Sequence, residues 1–217
     1  MKKAIILSGG WQGHSPAEIS NLVGGWLKQD GFEVTITEDQ AVLDDAELLA
    51  QTDLFVPNWT MGELSGERTH CLRQAVEAGL GLAGWHGGMG DAFRNNTSYQ
   101  FMVGGQFVNH FAGDKPYTVN ITDHSHSITQ GVKDFQVVSE QYHLHVDPGI
   151  HVLATTTMDA EEHAPWIGGS IMPVAWTRDW GKGRVFYLSV GHHARDFAIP
   201  EVETLIRRGL GWAVRQA

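Results

Sequence analysis

The chain has 217 residues, 42% of them hydrophobic, and its 25 acidic residues outnumber its 15 basic ones for a formal net charge of −10. No Lys/Arg-rich stretch exists that could neutralise several phosphates, which argues against nucleic acid and anionic membranes as partners. The apolar share suffices for one large core, so a single domain over residues 1–217 is expected.

At the N-terminus, Met1, Lys2 and Lys3 precede only a short apolar run, Ala4 to Leu7, too brief for the core of a signal peptide. No segment reaches the roughly 18 apolar residues of a membrane span. The lone cysteine, Cys71, cannot form an internal disulfide, and its place in a helical pattern suits buried packing rather than nucleophilic work. A cytoplasmic protein is expected.

Lys3 to Ser8 reads as a strand covered on both faces, and the glycines after it suit a turn or a phosphate-binding loop. Ser15-Pro16-Ala17-Glu18 fits a capping box with proline at the first helical position, followed by Ile19, Leu22, Val23, Trp26 and Leu27 on one helical face. Gly31 stops that helix and Phe32 to Thr37 begins a second strand. Leu54 to Pro57 as strand, Ser65 to Ala78 as helix and Gly81 to Trp85 as strand continue the alternation that indicates a parallel sheet.

From Tyr117 strands dominate: Tyr117 to Ile121, Gln136 to His145, His151 to Thr155, Pro173 to Thr177 and Arg184 to Val190. Gly181-Lys182-Gly183 reads as a hairpin turn between the last two. A final helix, Glu201 to Arg215, presents Val202, Leu205, Ile206, Leu210 and Ala213 at helical spacing.

Doubly wound sheets bind ligands beyond the carboxyl ends of their strands. His14 follows the first strand, Asn58-Trp59 the third, His86 the fourth and His192 the last, so separate segments converge on one edge. Gly84-Trp85-His86-Gly87-Gly88 has the spacing of a nucleophile elbow with histidine at its apex, a residue able to ligate metal or move protons. In Ser139 to His145, strand alternation puts Glu140 and Tyr142 on one face and His143 and His145 on the other. Glu140 is the candidate base or ligand, and His143 and His145 suit an exposed polar face. His124 and His126 fall in an Asx-type turn begun by Asp123, and His193 faces solvent if His192 points inward. Trp59 and Trp176 lie near strand ends, where sugar rings could stack.

Across nearly its whole length the chain resembles the trehalose-utilisation (ThuA-like) family. The resemblance is carried by Leu7 to His14, Gly81 to Gly87, Gly104-Gly105-Gln106-Phe107-Val108-Asn109-His110, Glu140-Gln141-Tyr142, Pro173 to Thr177, Gly181 to Val185 and Gly191-His192. It implies an α/β, flavodoxin-like fold related to class I glutamine amidotransferases: a three-layer sandwich with a mostly parallel central sheet. It also implies a role in sugar catabolism, on a disaccharide or 3-keto-sugar, with a site around His86, Glu140 and His192. The family commonly has aspartate before this glutamate, where the present chain has Ser139.

The resulting expectation is an isomerase, lyase or hydrolase with His86, Glu140 and His192 as catalytic groups. Trp59, Gln106, Tyr142 and Trp176 are expected to bind substrate, and His14, His86, His110 and His192 a divalent metal such as zinc. No nucleotide cofactor is expected; the partner would be a small sugar, and a homo-oligomer is compatible with the sequence. A non-catalytic sugar-binding or regulatory protein is the alternative. Glutamine amidotransfer conflicts with the missing elbow cysteine.

Overall fold

In a computed structural model, which describes residues 1–216, the expected alternation is realised. The strand β1 (Lys2–Gly10) leads to helix α1 (Pro16–Gln29), β2 (Phe32–Thr37), α2 (Ala46–Gln51), β3 (Leu54–Thr60), α3 (Gly66–Glu77) and β4 (Gly81–Trp85). Then come two short helices, α4 (His86–Gly90) and α5 (Thr97–Val103), and the strands β5 (Gly105–Asn109), β6 (Asp114–Ile121), β7 (Phe135–Glu140), β8 (His143–Val146) and β9 (His151–Thr157). The chain closes with β10 (Ile171–Trp180), β11 (Gly183–Leu188) and α6 (Pro200–Ala213).

The main sheet has nine strands in the order β2-β1-β3-β4-β11-β10-β9-β6-β7. From β2 to β11 neighbours run parallel, and from β11 to β7 they run antiparallel. Helical crossovers build the first block, whereas the second contains the expected hairpin, in which Trp180 pairs with Gly183 and Gly181 takes a φ of +62°.

Strand alternation divides the core into two layers. Ile6, Val56, Ala83, Phe186 and Leu188 face Ile19, Val23 and Leu27 of α1 and Val202, Leu205 and Ile206 of α6. On the other face Ile5, Leu7, Phe55, Leu82 and Val185 meet Leu72 and Val76 of α3 and Met102 and Val103 of α5. Each such buried side chain contributes about 1.5–3 kcal/mol of transfer free energy, so helices are held on both faces and the strand ends remain accessible for a site. Cys71, on α3, is half-buried.

Two local expectations are corrected. Ser15 does precede α1, with Pro16 at its start, but it adopts φ +45° and its side chain caps nothing, because it also closes the tight turn at residues 12–14. The segment from residue 136 to 145 is two strands rather than one. Alternation fails where Ser139, Glu140, Gln141 and Tyr142 are all buried, and the chain leaves the main sheet there. Gln141 donates to Thr156 Oγ1 at 2.7 Å, and β8 then pairs with β5 in a separate two-stranded sheet.

Candidate functional site

The carboxyl ends of β1, β4 and β11 deliver His14, His86 and His192 to one edge. His14 ends the turn after β1, His86 follows β4 directly and His192 follows β11. The elbow reading of His86 holds in backbone terms: β4 ends in extended Trp85, His86 itself is left-handed at φ +41°, and α4 begins there. Such strain in a non-glycine residue persists only where its surroundings over-determine it. Tyr187 Oη donates to the His86 carbonyl at 3.1 Å, and His86 Nδ1 donates to the Ser189 carbonyl at 2.8 Å.

Glu140 arrives from the last strand of the sheet. The antiparallel block therefore curls back over the strand ends, as the twist of so wide a sheet permits. Tyr117 Oη holds the Glu140 carbonyl at 3.2 Å. Ser139 donates to buried Asp196 at 2.7 Å, and Asp196 also accepts from the His193 backbone. This contact ties the loop bearing His192 to the strand bearing Glu140.

His14, His86, Glu140 and His192 are all buried, and each offers one ligand atom within 4.8 Å of the others. Glu140 Oε2 lies 3.2 Å from His86 Nε2 and 2.8 Å from His192 Nδ1. The second of these is close in distance but poorly aligned, leaving His192 Nδ1 buried without a hydrogen-bond partner among the described residues. His14 Nδ1 meets Thr60 Oγ1 at 2.7 Å. Tyr142 stacks on His86 with ring centres 4.0 Å apart, so this expected neighbour of Glu140 does reach the cluster, though through the break after β7.

Burial, with His86 and His192 alongside, holds His14 down to about 3. Burial likewise lowers His86 against the pull of Glu140. For Glu140 burial acts upward, but contacts with His192 and His86 outweigh it and keep the carboxyl below the usual carboxylate range. Burial raises the Tyr142 hydroxyl well above its ordinary value, so it stays protonated. The consequence concerns lone pairs. A carbonyl only accepts, so His86 Nδ1 carries a proton for Ser189; its Nε2 meets the Glu140 carboxylate either as a second N–H donor, the contact that lowers the carboxyl, or, when His86 is neutral, as a lone pair beside it. In the neutral form a cation held between those atoms would stabilise the arrangement.

The donor set fits a divalent metal on this structure's own features: imidazoles with one carboxylate, a buried unpartnered His192 Nδ1, and ring nitrogens of His86 and His14 fixed from behind by Ser189 and Thr60.

The remaining expected residues sit elsewhere. His110 stands at the rim, its side chain 38% exposed and its Nε2 3.3 Å from Glu140 Oε1, outside the four-residue ligand group. Trp176 is fully buried, donates its indole N–H to the Val103 carbonyl at 2.9 Å and packs on Tyr187; it is a core residue that no sugar reaches here. Trp59 lies on the face of β3 opposite Thr60 and stacks on Phe93, away from His14. Gln106 pairs across from exposed His145, while the alternate residue Phe107 turns to Tyr142 at 4.5 Å, so Gln106 points away from the cluster. His143 packs near Phe111 and does not join the cluster. Asp123 Oδ1 accepts from Ser125 and His126, forming the expected turn. His193 is half-buried against Asp114.

Thr60 lies beyond the strand end that the apolar run predicts at Pro57, because β3 continues to residue 60. The signal was the polar alternation of Asn58 and Thr60 around Trp59.

Fold and site together define a three-layer α/β protein with a histidine–carboxylate centre at its strand ends. The chain matches the pattern of ThuA, trehalose utilisation, over residues 3–213, and it belongs to that family. Its fold is similar to that of a ThuA-like protein of Bacteroides uniformis, at TM-score 0.80 and 18% identity over 98% of this chain and 91% of that one. A ThuA-like protein of Parabacteroides merdae gives TM-score 0.72 and 19% identity over 100% and 92%. A cytoplasmic protein of Salmonella typhimurium gives 0.65 and 11% over 100% of both chains. A sequence comparison with curated proteins finds no match. No helix of the described residues is long and apolar enough to cross a membrane.

Proposed function

We propose that this protein is a cytoplasmic enzyme of sugar catabolism, acting on a disaccharide or 3-keto-sugar through a metal-assisted acid/base site. The observation that carries the reading is the convergence of His14, His86, His192 and Glu140 at one strand-end edge, each with one ligand atom within 4.8 Å of the others. The family's trehalose utilisation supplies the substrate class.

In this reading His14, His86 and His192 hold a divalent metal such as zinc, together with Glu140 Oε2. The metal would polarise a substrate carbonyl or hydroxyl and lower the cost of removing the adjacent proton. Glu140 is ionised, which is the form that accepts a proton, and its Oε1 is directed at His110 on the rim. Glu140 takes the proton from the carbon beside the carbonyl, and His110 passes it to or from solvent. Stacked Tyr142 closes one wall and keeps its hydroxyl protonated as a hydrogen-bond donor.

Metal analysis of the purified protein, chelation and His86→Ala test the reading alongside a product-NMR screen of 3-keto-glycosides. Bound metal and turnover should fall together. Turnover that survives chelation in a metal-free protein would reassign the histidines to acid/base and hydrogen-bonding work. Sugar binding with no product from any of these compounds would leave a binding protein.

A further inference from the structure

We propose that Trp11 is the platform on which an uncharged pyranosyl ring stacks while its reacting carbon faces the His14–His86–His192–Glu140 cluster. This rests on the sugar reading above and deepens it.

Trp11 is 46% exposed, yet it sits against the cluster, its ring centre 4.7 Å from that of His14 in an edge-on arrangement. His14 in turn lies 4.8 Å from His86 and 5.0 Å from His192 between ring centres. The placement of Trp11 is built rather than incidental. Its N–H donates to the Thr60 carbonyl at 3.1 Å and its carbonyl accepts from the His14 N–H at 3.3 Å, the same two residues whose side chains bond to each other. A Cβ at Gly13 would collide with the indole ring, so glycine there lets the ring rest against the turn. The indole N–H makes no hydrogen bond among the described residues and is free to meet a sugar hydroxyl. A pyranose presents an apolar C–H face ringed by hydroxyls, which matches a half-exposed ring with a polar edge.

The surroundings select against a phosphorylated sugar. Two arginines flank the cluster, and each is already paired: Arg94 holds Asp91 with two bonds of 2.8 and 2.7 Å, and Arg195 holds Asp114 at 2.6 Å. Each guanidinium charge is thereby already balanced by a carboxylate, which lowers its attraction for a phosphate.

The test is calorimetric or saturation-transfer NMR binding of trehalose, trehalose 6-phosphate and sorbitol to the native protein, Trp11→Ala, Trp11→Gln and Trp11→Phe. Trp166→Ala serves as the control, because Trp166 is 75% exposed and stands outside the cluster. Trehalose should bind more tightly than sorbitol and the 6-phosphate. Trp11→Ala and Trp11→Gln should weaken trehalose about 10-fold with bound metal unchanged, and Trp11→Phe should keep most of the affinity. Where turnover is measurable, KM should rise with kcat nearly constant. Undiminished trehalose binding by Trp11→Ala or Trp11→Gln overturns the platform and leaves the sugar reading standing. Tighter binding of the 6-phosphate overturns the uncharged ring, and absence of pyranoside binding to the native protein overturns the sugar reading and the platform together.

Discussion

Gly87 and His14 approach so closely that a Cβ on residue 87 would stand 2.5 Å from the imidazole Cε1 and 3.0 Å from the Tyr142 hydroxyl. The glycine after the elbow histidine therefore makes room for a ligand from another strand. Gly87→Ala is expected to cost about 1–3 kcal/mol through overpacking and to lower metal affinity about 10- to 100-fold by displacing His14. Gly25→Ala is the control, because a Cβ there meets nothing within 4 Å and alanine favours the helix. Equal metal titrations for Gly87→Ala and native protein would show that the His14 position is not critical.

Glu140→Gln should preserve the fold and sugar binding while lowering turnover by a factor on the order of 100 to 10,000. Metal content measured in the same samples separates loss of a base from loss of a ligand. An unperturbed glutamate base would give the pH–rate profile an acidic limb near its ordinary value. The structure revises that: contacts with His192 and His86 outweigh burial, so the ionised form persists below the ordinary range. The native profile should carry no limb from Glu140 near its unperturbed value of about 4. An acidic limb at that value, lost in Glu140→Gln, would contradict the lowered carboxyl.

Trp176→Phe distinguishes a core residue from a substrate platform. It leaves the buried Val103 carbonyl without its 2.9 Å partner, a loss of about 1–3 kcal/mol. In a chain of this size that corresponds to a lower Tm by about 2–4 °C per kcal/mol. Trehalose affinity should not change, and a weakened affinity at unchanged Tm would return Trp176 to the site.

Asp123 offers a pH test outside the cluster. The Ser125 hydroxyl and backbone N–H, helped by the His126 N–H and nearby His151, hold its carboxyl down to about 2 from the ordinary 3.8. A depressed folded value means that the stabilisation is present above 3.8 and is lost as pH falls toward 2. The Tm advantage of native protein over Asp123→Asn should therefore shrink as pH falls across that window. A difference that stays constant down to the lower end would show that the turn does not favour the charged form.

What the sequence determined by itself is local. An apolar run ending in glycines marked β1, helical spacing marked α1 and α6, and the alternation of strand and helix placed His14, His86 and His192 after strands that end at one edge. Those features depend on residues a few positions apart, where periodicity and turn chemistry act directly. Tertiary structure alone decided the rest. Glu140 reaches His86 only because the antiparallel block curls across the strand ends, and Thr60 matters only because β3 runs three residues beyond its apolar part. The tryptophans divide the same way: Trp176 is submerged, Trp59 is turned to the far face and Trp11 stands open beside His14. Which face a side chain takes, and which distant segment meets it, is set by sheet register and packing between residues more than a hundred positions apart, and no local pattern encodes that.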